Sequence, residues 1–150
     1  MTTRSTTRSD ATSRSRPTSG SGPSAPRPPG APDASALLGE WVNTDRHTAK
    51  GARLLDVTQR ADGVFVRASG AGGPGPRDWG EAPAVLYTPP GAPSAAWSFS
   101  VVYDLGAVRI VVCAYHKTGI LVTTTATVLS GGGDAGHWAR SFFHRAGRRT

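Results

Sequence analysis

Three charges and an indole fall within five residues at Arg77-Asp78-Trp79-Gly80-Glu81. On a strand, Trp79, Glu81, Pro83, Val85 and Tyr87 share one face. If Trp79 points inward, Glu81 becomes an interior carboxylate with a raised pKa unless Arg53, Arg67 or Arg140 pairs with it, which suits a ligand anchor or a general acid. If Trp79 points outward, Arg77 and Asp78 simply close a loop. Trp41 poses a similar choice. Turned inward, it takes Gly39 and Asn43 with it, and Asn43, the only asparagine in the chain, becomes a buried amide that other side chains or a ligand must satisfy. Trp97 and Arg140 add an aromatic wall and a cation. The candidate ligand-binding residues are therefore Asn43, Trp79, Glu81, Trp97 and Arg140.

Other chemistries find less support. His137 and His144 are seven apart, and Cys113 and His116 three apart, so on regular strands each pair points to opposite faces and no closed metal-ligand set forms. There is no G-x-S-x-G elbow and no G-x-G-x-x-G between a strand and a helix; Lys117-Thr118 matches only the end of a phosphate-binding loop. No metal and no cofactor is expected. The single cysteine, Cys113, cannot form an internal disulfide and reads as a small core residue. His116 falls at a barrel rim or in an exposed turn.

The elements that must position these residues begin abruptly at Leu37. Residues 1–36 are almost entirely Thr, Ser, Arg, Pro, Gly and Ala, a composition that cannot bury enough surface to offset chain entropy, and a disordered tail is expected. From Leu37, short β-patterned runs alternate with turn chemistry. The expected strands are 37–44, 52–59, 64–69, 79–88, 96–103, 107–116, 120–129 and 137–145. A type I′ hairpin is expected at Asp62-Gly63, and Gly/Pro-rich loops at 70–76 and 130–136. Strand 120–129 should turn Ile120, Val122, Thr124, Ala126 and Val128 inward, and strand 107–116 should do the same with Val108, Ile110, Val112, Ala114 and His116. Eight sequential strands without a helix point to an all-β, antiparallel up-and-down barrel over 37–145, followed by a disordered basic end at 146–150. Closure removes edges that an open sheet must protect, although a two-sheet sandwich also fits this length.

The net charge of +7 invites a nucleic-acid reading, but the charge lies in the ends. Residues 37–144 hold nine Lys/Arg against eight Asp/Glu. No specific nucleic-acid partner is expected, only weak, salt-sensitive attraction to polyanions. No apolar run has a membrane-spanning length or the form of a signal peptide, so no membrane partner and a cytoplasmic location are expected.

Leu38-Gly39-Glu40-Trp41-Val42-Asn43 resembles the first-strand G-x-W signature of the calycins, the lipocalin, fatty-acid-binding and avidin-type barrels. The resemblance implies a Gly that lets the strand bend at the closed end, a Trp filling the barrel base, and a cation from the last strand over the indole, here Arg145 or Arg140. The avidin branch continues W-x-N with the Asn on the ligand, which implies such a role for Asn43; Thr44, His47 and Thr48 depart from the rest of that pattern, so the ligand does not carry over. The leading reading is non-catalytic binding of a small, largely apolar ligand in the barrel. One alternative is a cofactor-independent cyclase or isomerase of secondary metabolism, with Glu81 or Arg140 polarising the substrate. Another is an interaction module whose barrel is filled by its own side chains. Strand 137–145 carries aromatic and basic residues on both faces, which suggests a homo-oligomer or a covering tail.

Overall fold

The computed structural model describes residues 26–72, 75–129, 131 and 135–147. Its strands are β1 (Gly39–Asn43), β2 (Ala52–Arg60), β3 (Gly63–Gly72), β4 (Gly75–Tyr87), β5 (Ser98–Asp104), β6 (Val108–Lys117), β7 (Ile120–Leu129) and β8 (His137–Arg145). Each pairs with the next in antiparallel fashion, and β1 closes on β8 through Trp41↔Arg145, Val42↔His144 and Asn43↔Phe143. The fold is the expected all-β up-and-down barrel, closed rather than split into a sandwich. Closure leaves neither β1 nor β8 with an unpaired edge.

The alternation expected of β6 holds: Ile110, Val112 and Ala114 are buried, and Val108 and His116 lie on the same inner face. For β7 the structure reverses the expectation. Lys117 pairs with Ile120 across Thr118-Gly119, both with positive φ, which makes this hairpin type I′. That two-residue turn sets Ala114 opposite Thr123, Val112 opposite Thr125 and Ile110 opposite Thr127. Opposed residues share a face, so Leu121 and three threonines line the barrel, while Ile120, Val122, Thr124, Ala126 and Val128 face outward. Hydrophobicity alone picked the wrong side because the outer face of β7 is the more apolar.

Other boundaries also move. The expected loop at 70–76 is largely a continuation of the β3–β4 hairpin, with Ala71 opposite Pro76 and Gly72 opposite Gly75. Arg60 pairs with Gly63, so the turn is Ala61-Asp62, one position earlier than expected, and neither residue has the positive φ of a type I′ turn. Cys113 is exposed on the outer face of β6 rather than in the core. Of the expected N-terminal tail, residues 1–25 lie outside the described residues, as do 148–150 of the expected C-terminal one. Residues 33–36 belong to the fold: Asp33 bridges Ala95, and Ala34 is fully buried together with Leu37. They form a plug across one end of the barrel.

The core is the barrel interior. Trp41, Leu55, Val57, Val66, Phe99, Val101, Val112 and Phe143 are essentially inaccessible and interdigitate from every side. Trp41, Phe99, Leu121 and Phe143 bring their side chains together in the half next to the plug.

Candidate functional site

The plugged end is built around Trp41. Its Nε1 donates to the Leu37 carbonyl at 2.9 Å, and the Arg145 guanidinium lies 4.4 Å from the ring centroid. Arg145 also donates to the carbonyls of Leu38 and Ala36, the latter at 2.8 Å, so it ties the plug to the last strand. Gly39 has φ +115, and a β-carbon there would sit 3.0 Å from Arg145 Nη1, so the strand must carry glycine where the cation passes. Of the two cations weighed for this position, the structure selects Arg145. His116 sets its ring edge-on to Trp41 at 6.1 Å, placing it half-buried at this end rather than in a free turn. The end is structural and shut.

The opposite end holds a cavity of about 200 Å³. Its position follows from β4. Ala68 pairs with Gly80 and Ser69 with Asp78, which leaves Trp79 as the extra residue of a β-bulge, and Gly80 takes φ +86 to make the turn. The bulge shifts the parity of the strand. Trp79 points inward and packs 5.6 Å from Tyr103, whereas Glu81 lies outside and pairs with Arg60 at 2.6 Å. The expectation that an inward Trp79 carries Glu81 inside is therefore corrected: the two residues sit on opposite faces. Gly70 makes room for the indole, because a β-carbon there would overlap the ring.

Apolar walls come from Trp79, Leu105, Val108 and Ile110, and Thr127 adds a hydroxyl from the inner face of β7. Lys50, Arg77 and His137 bring nitrogen donors from the β1–β2 loop, the start of β4 and the start of β8. No carboxylate is among the described residues that line the cavity. Asp78, next in sequence to both Arg77 and Trp79, turns outward to Arg67; the Gly80 amide and then that guanidinium hold its carboxyl below the usual range. Beneath Trp79, the Tyr103 hydroxyl donates to the Val66 carbonyl at 2.7 Å, and burial, reinforced by the Glu81 charge, raises its pKa strongly. That phenol is neutral and engaged, and its ring backs Trp79 without lining the cavity.

Of the five candidates, only Trp79 lines this cavity. Asn43 is buried, but its amide donates to the Ala52 carbonyl at 2.8 Å and its oxygen accepts from the Asp45 amide, which holds the β1–β2 loop. Trp97 is exposed and tilts against Tyr115 at 5.8 Å on the outer wall. Arg140 is also outside, 3.4 Å from the Tyr115 hydroxyl and over the Phe142 ring. The three polar candidates Asn43, Glu81 and Arg140 do not converge. A larger hollow of about 360 Å³ lies on the outer surface beside β1–β3, but Arg53 in it already donates to the Arg46 carbonyl and Asn43 is committed as described.

Sequence reasoning passed over Lys50, Arg77, Thr127 and His137 as members of one site, and Tyr103 as the ring that backs Trp79. Alternation could have placed Tyr103 with Val101 and Phe99; nothing short of the closed topology brings the other four to one mouth. Among the described residues there is no group of His, Cys, Asp and Glu that could hold a metal ion, and no helix long and apolar enough to cross a membrane. Comparison of the chain with protein-family models, with curated proteins and with solved structures finds no match.

Proposed function

We propose that this protein binds a small, largely apolar molecule bearing an acidic group, at the open end of a calycin-type barrel. The observation that carries the reading is the composition of the mouth: an indole and aliphatic walls beside Lys50, Arg77 and His137, with no carboxylate among its described residues. Aromatic and aliphatic walls hold an apolar body, and a few placed donors orient it. Two permanent cations favour an anionic end through charge-assisted hydrogen bonds. The calycin assignment draws support from Gly39, Trp41 and Arg145, which meet as the resemblance implies. The catalytic alternative loses the groups it relied on, since Glu81 and Arg140 both lie outside.

Isothermal titration with indole-3-acetate and indole-3-acetamide, alike in shape and different in charge, tests the reading. The acetate is expected to bind about tenfold or more tighter than the amide, a difference of about 1.4 kcal/mol. Lys50→Gln combined with Arg77→Gln should abolish that preference, and Trp79→Leu should weaken both ligands. Failure of both to bind, or equal binding of the two, overturns the proposal.

A further inference from the structure

The outer surface of the barrel is strongly two-sided. All nine exposed large apolar side chains among the described residues fall between Val85 and Phe142, on β4–β8 and the β4–β5 connection, and none lies on β1, β2 or β3; Leu129, opposite Val108, is at the rim of the mouth, and the other eight are on the outer wall. The β1–β4 side instead carries Arg60–Glu81 and Arg67–Asp78 ion pairs. Strand register gathers six of the eight into three rows, with Ile120 and Val128 flanking them on β7. Near the open end, Trp138, Ala126, Val111 and Val102 are successive cross-strand partners. Near the plugged end the row is Phe142, Val122, Tyr115, Ser98 and Tyr87, flanked by Trp97. Between them run Arg140, Thr124, Cys113, Ser100 and Val85.

We propose that this wall is the face on which a second copy of the chain packs, forming a two-fold homodimer. Exposures of 42–67% on these eight outward residues, with full areas of about 150–250 Å² for the aromatic ones and somewhat less for the aliphatic ones, leave on the order of 800 Å² of largely apolar surface. Contiguous patches on monomers reach only about 300–600 Å², whereas a standard interface takes about 800 Å² from each partner. The wall therefore matches half of a dimer interface in area. Its charges also suit self-association: Asp104 and Arg109 neutralise each other at 3.2 Å at the open-end margin, and Lys117 sits at the opposite one. The middle is free of carboxylates and holds one cation, Arg140, at the β8 edge, so two copies meet without a block of like charge. The resulting pattern is an apolar centre with a polar rim. A two-fold pairing centred on the wall brings Cys113, midway along the middle row, close to its own copy. The cavity stays open, because the wall runs along the side of the barrel and the mouth is at its end; the inference is independent of the ligand reading.

Sedimentation velocity on the full chain is expected to give a dimer that Val102→Glu and Trp138→Glu each convert to monomer. Both side chains are exposed, and an unchanged circular dichroism spectrum would show that the variant barrel remains folded. On the unmodified protein, a short bismaleimide should join two chains through Cys113, and Cys113→Ser should abolish the product. A monomeric mass up to the solubility limit overturns the proposal, as does a dimer that neither charge substitution disrupts or that fails to cross-link through Cys113.

Discussion

Trp79 and Gly70 form the most exacting pair of residues in the mouth, since the indole occupies the space that any β-carbon at position 70 would need. Gly70→Ala should force the ring off Tyr103 and lower stability by about 1–3 kcal/mol, the usual cost of overpacking a filled site. Urea unfolding measures it, and in the Trp79→Leu background the same change should cost clearly less, because the two residues are in contact. Thr123 makes the opposite case. Its Oγ1 is buried on the inner wall of β7 without a hydrogen-bond partner in the protein. Thr123→Val keeps the shape and removes the unpaired hydroxyl, so it should leave stability unchanged or raise it by about 1 kcal/mol. A loss larger than that would show that the hydroxyl is engaged. Neither residue was legible as special: a glycine in a Gly-rich stretch and one threonine among four carry no local signal.

At the level of elements, the sequence was most informative where turn chemistry and alternation agree. β7 and β8 have the expected bounds, and β6 has the expected inner face, since Ile110, Val112 and Ala114 alternate with Arg109, Val111 and Cys113. Parity failed where something non-local decides it. The Thr118-Gly119 turn registers β7 against β6 and overrides an outward face that is apolar for another reason. The Trp79-Gly80 bulge separates Trp79 from Glu81, and a bulge leaves little trace beyond a glycine inside a strand pattern. The plug was also missed, because Ala34 and Leu37 are two apolar residues at the edge of a polar segment. Its contribution is testable: Leu37 is fully buried against the base of the barrel, so Leu37→Ala should cost about 2–5 kcal/mol by thermal or urea unfolding. A negligible cost would mean that the plug lies on the barrel without closing it.

Across the whole molecule, Tyr103 joins burial, charge and topology in one group. Its ring belongs to the core, and its hydroxyl reaches from β5 over the inner face of β4 to the Val66 carbonyl on β3, so the bond spans three strands. Burial, with the negative charge of Glu81 beyond the wall, raises the phenol above its ordinary pKa of 10.0. The sign of the linkage follows from that direction. The folded state holds the proton more tightly than the unfolded chain, so the stabilisation is complete below pH 10 and declines as rising pH ionises the tyrosine of the unfolded chain, until the raised folded value is passed. Tyr103→Phe removes this dependence together with the hydroxyl's bond to the Val66 carbonyl, costing about 0.5–1.5 kcal/mol at neutral pH. Every other group is common to the two proteins, so the informative quantity is the stability difference between them. Urea unfolding at a series of pH values from neutrality upward should show that difference narrowing once the pH passes 10; a constant difference would place the Tyr103 hydroxyl in contact with solvent and remove it from the core.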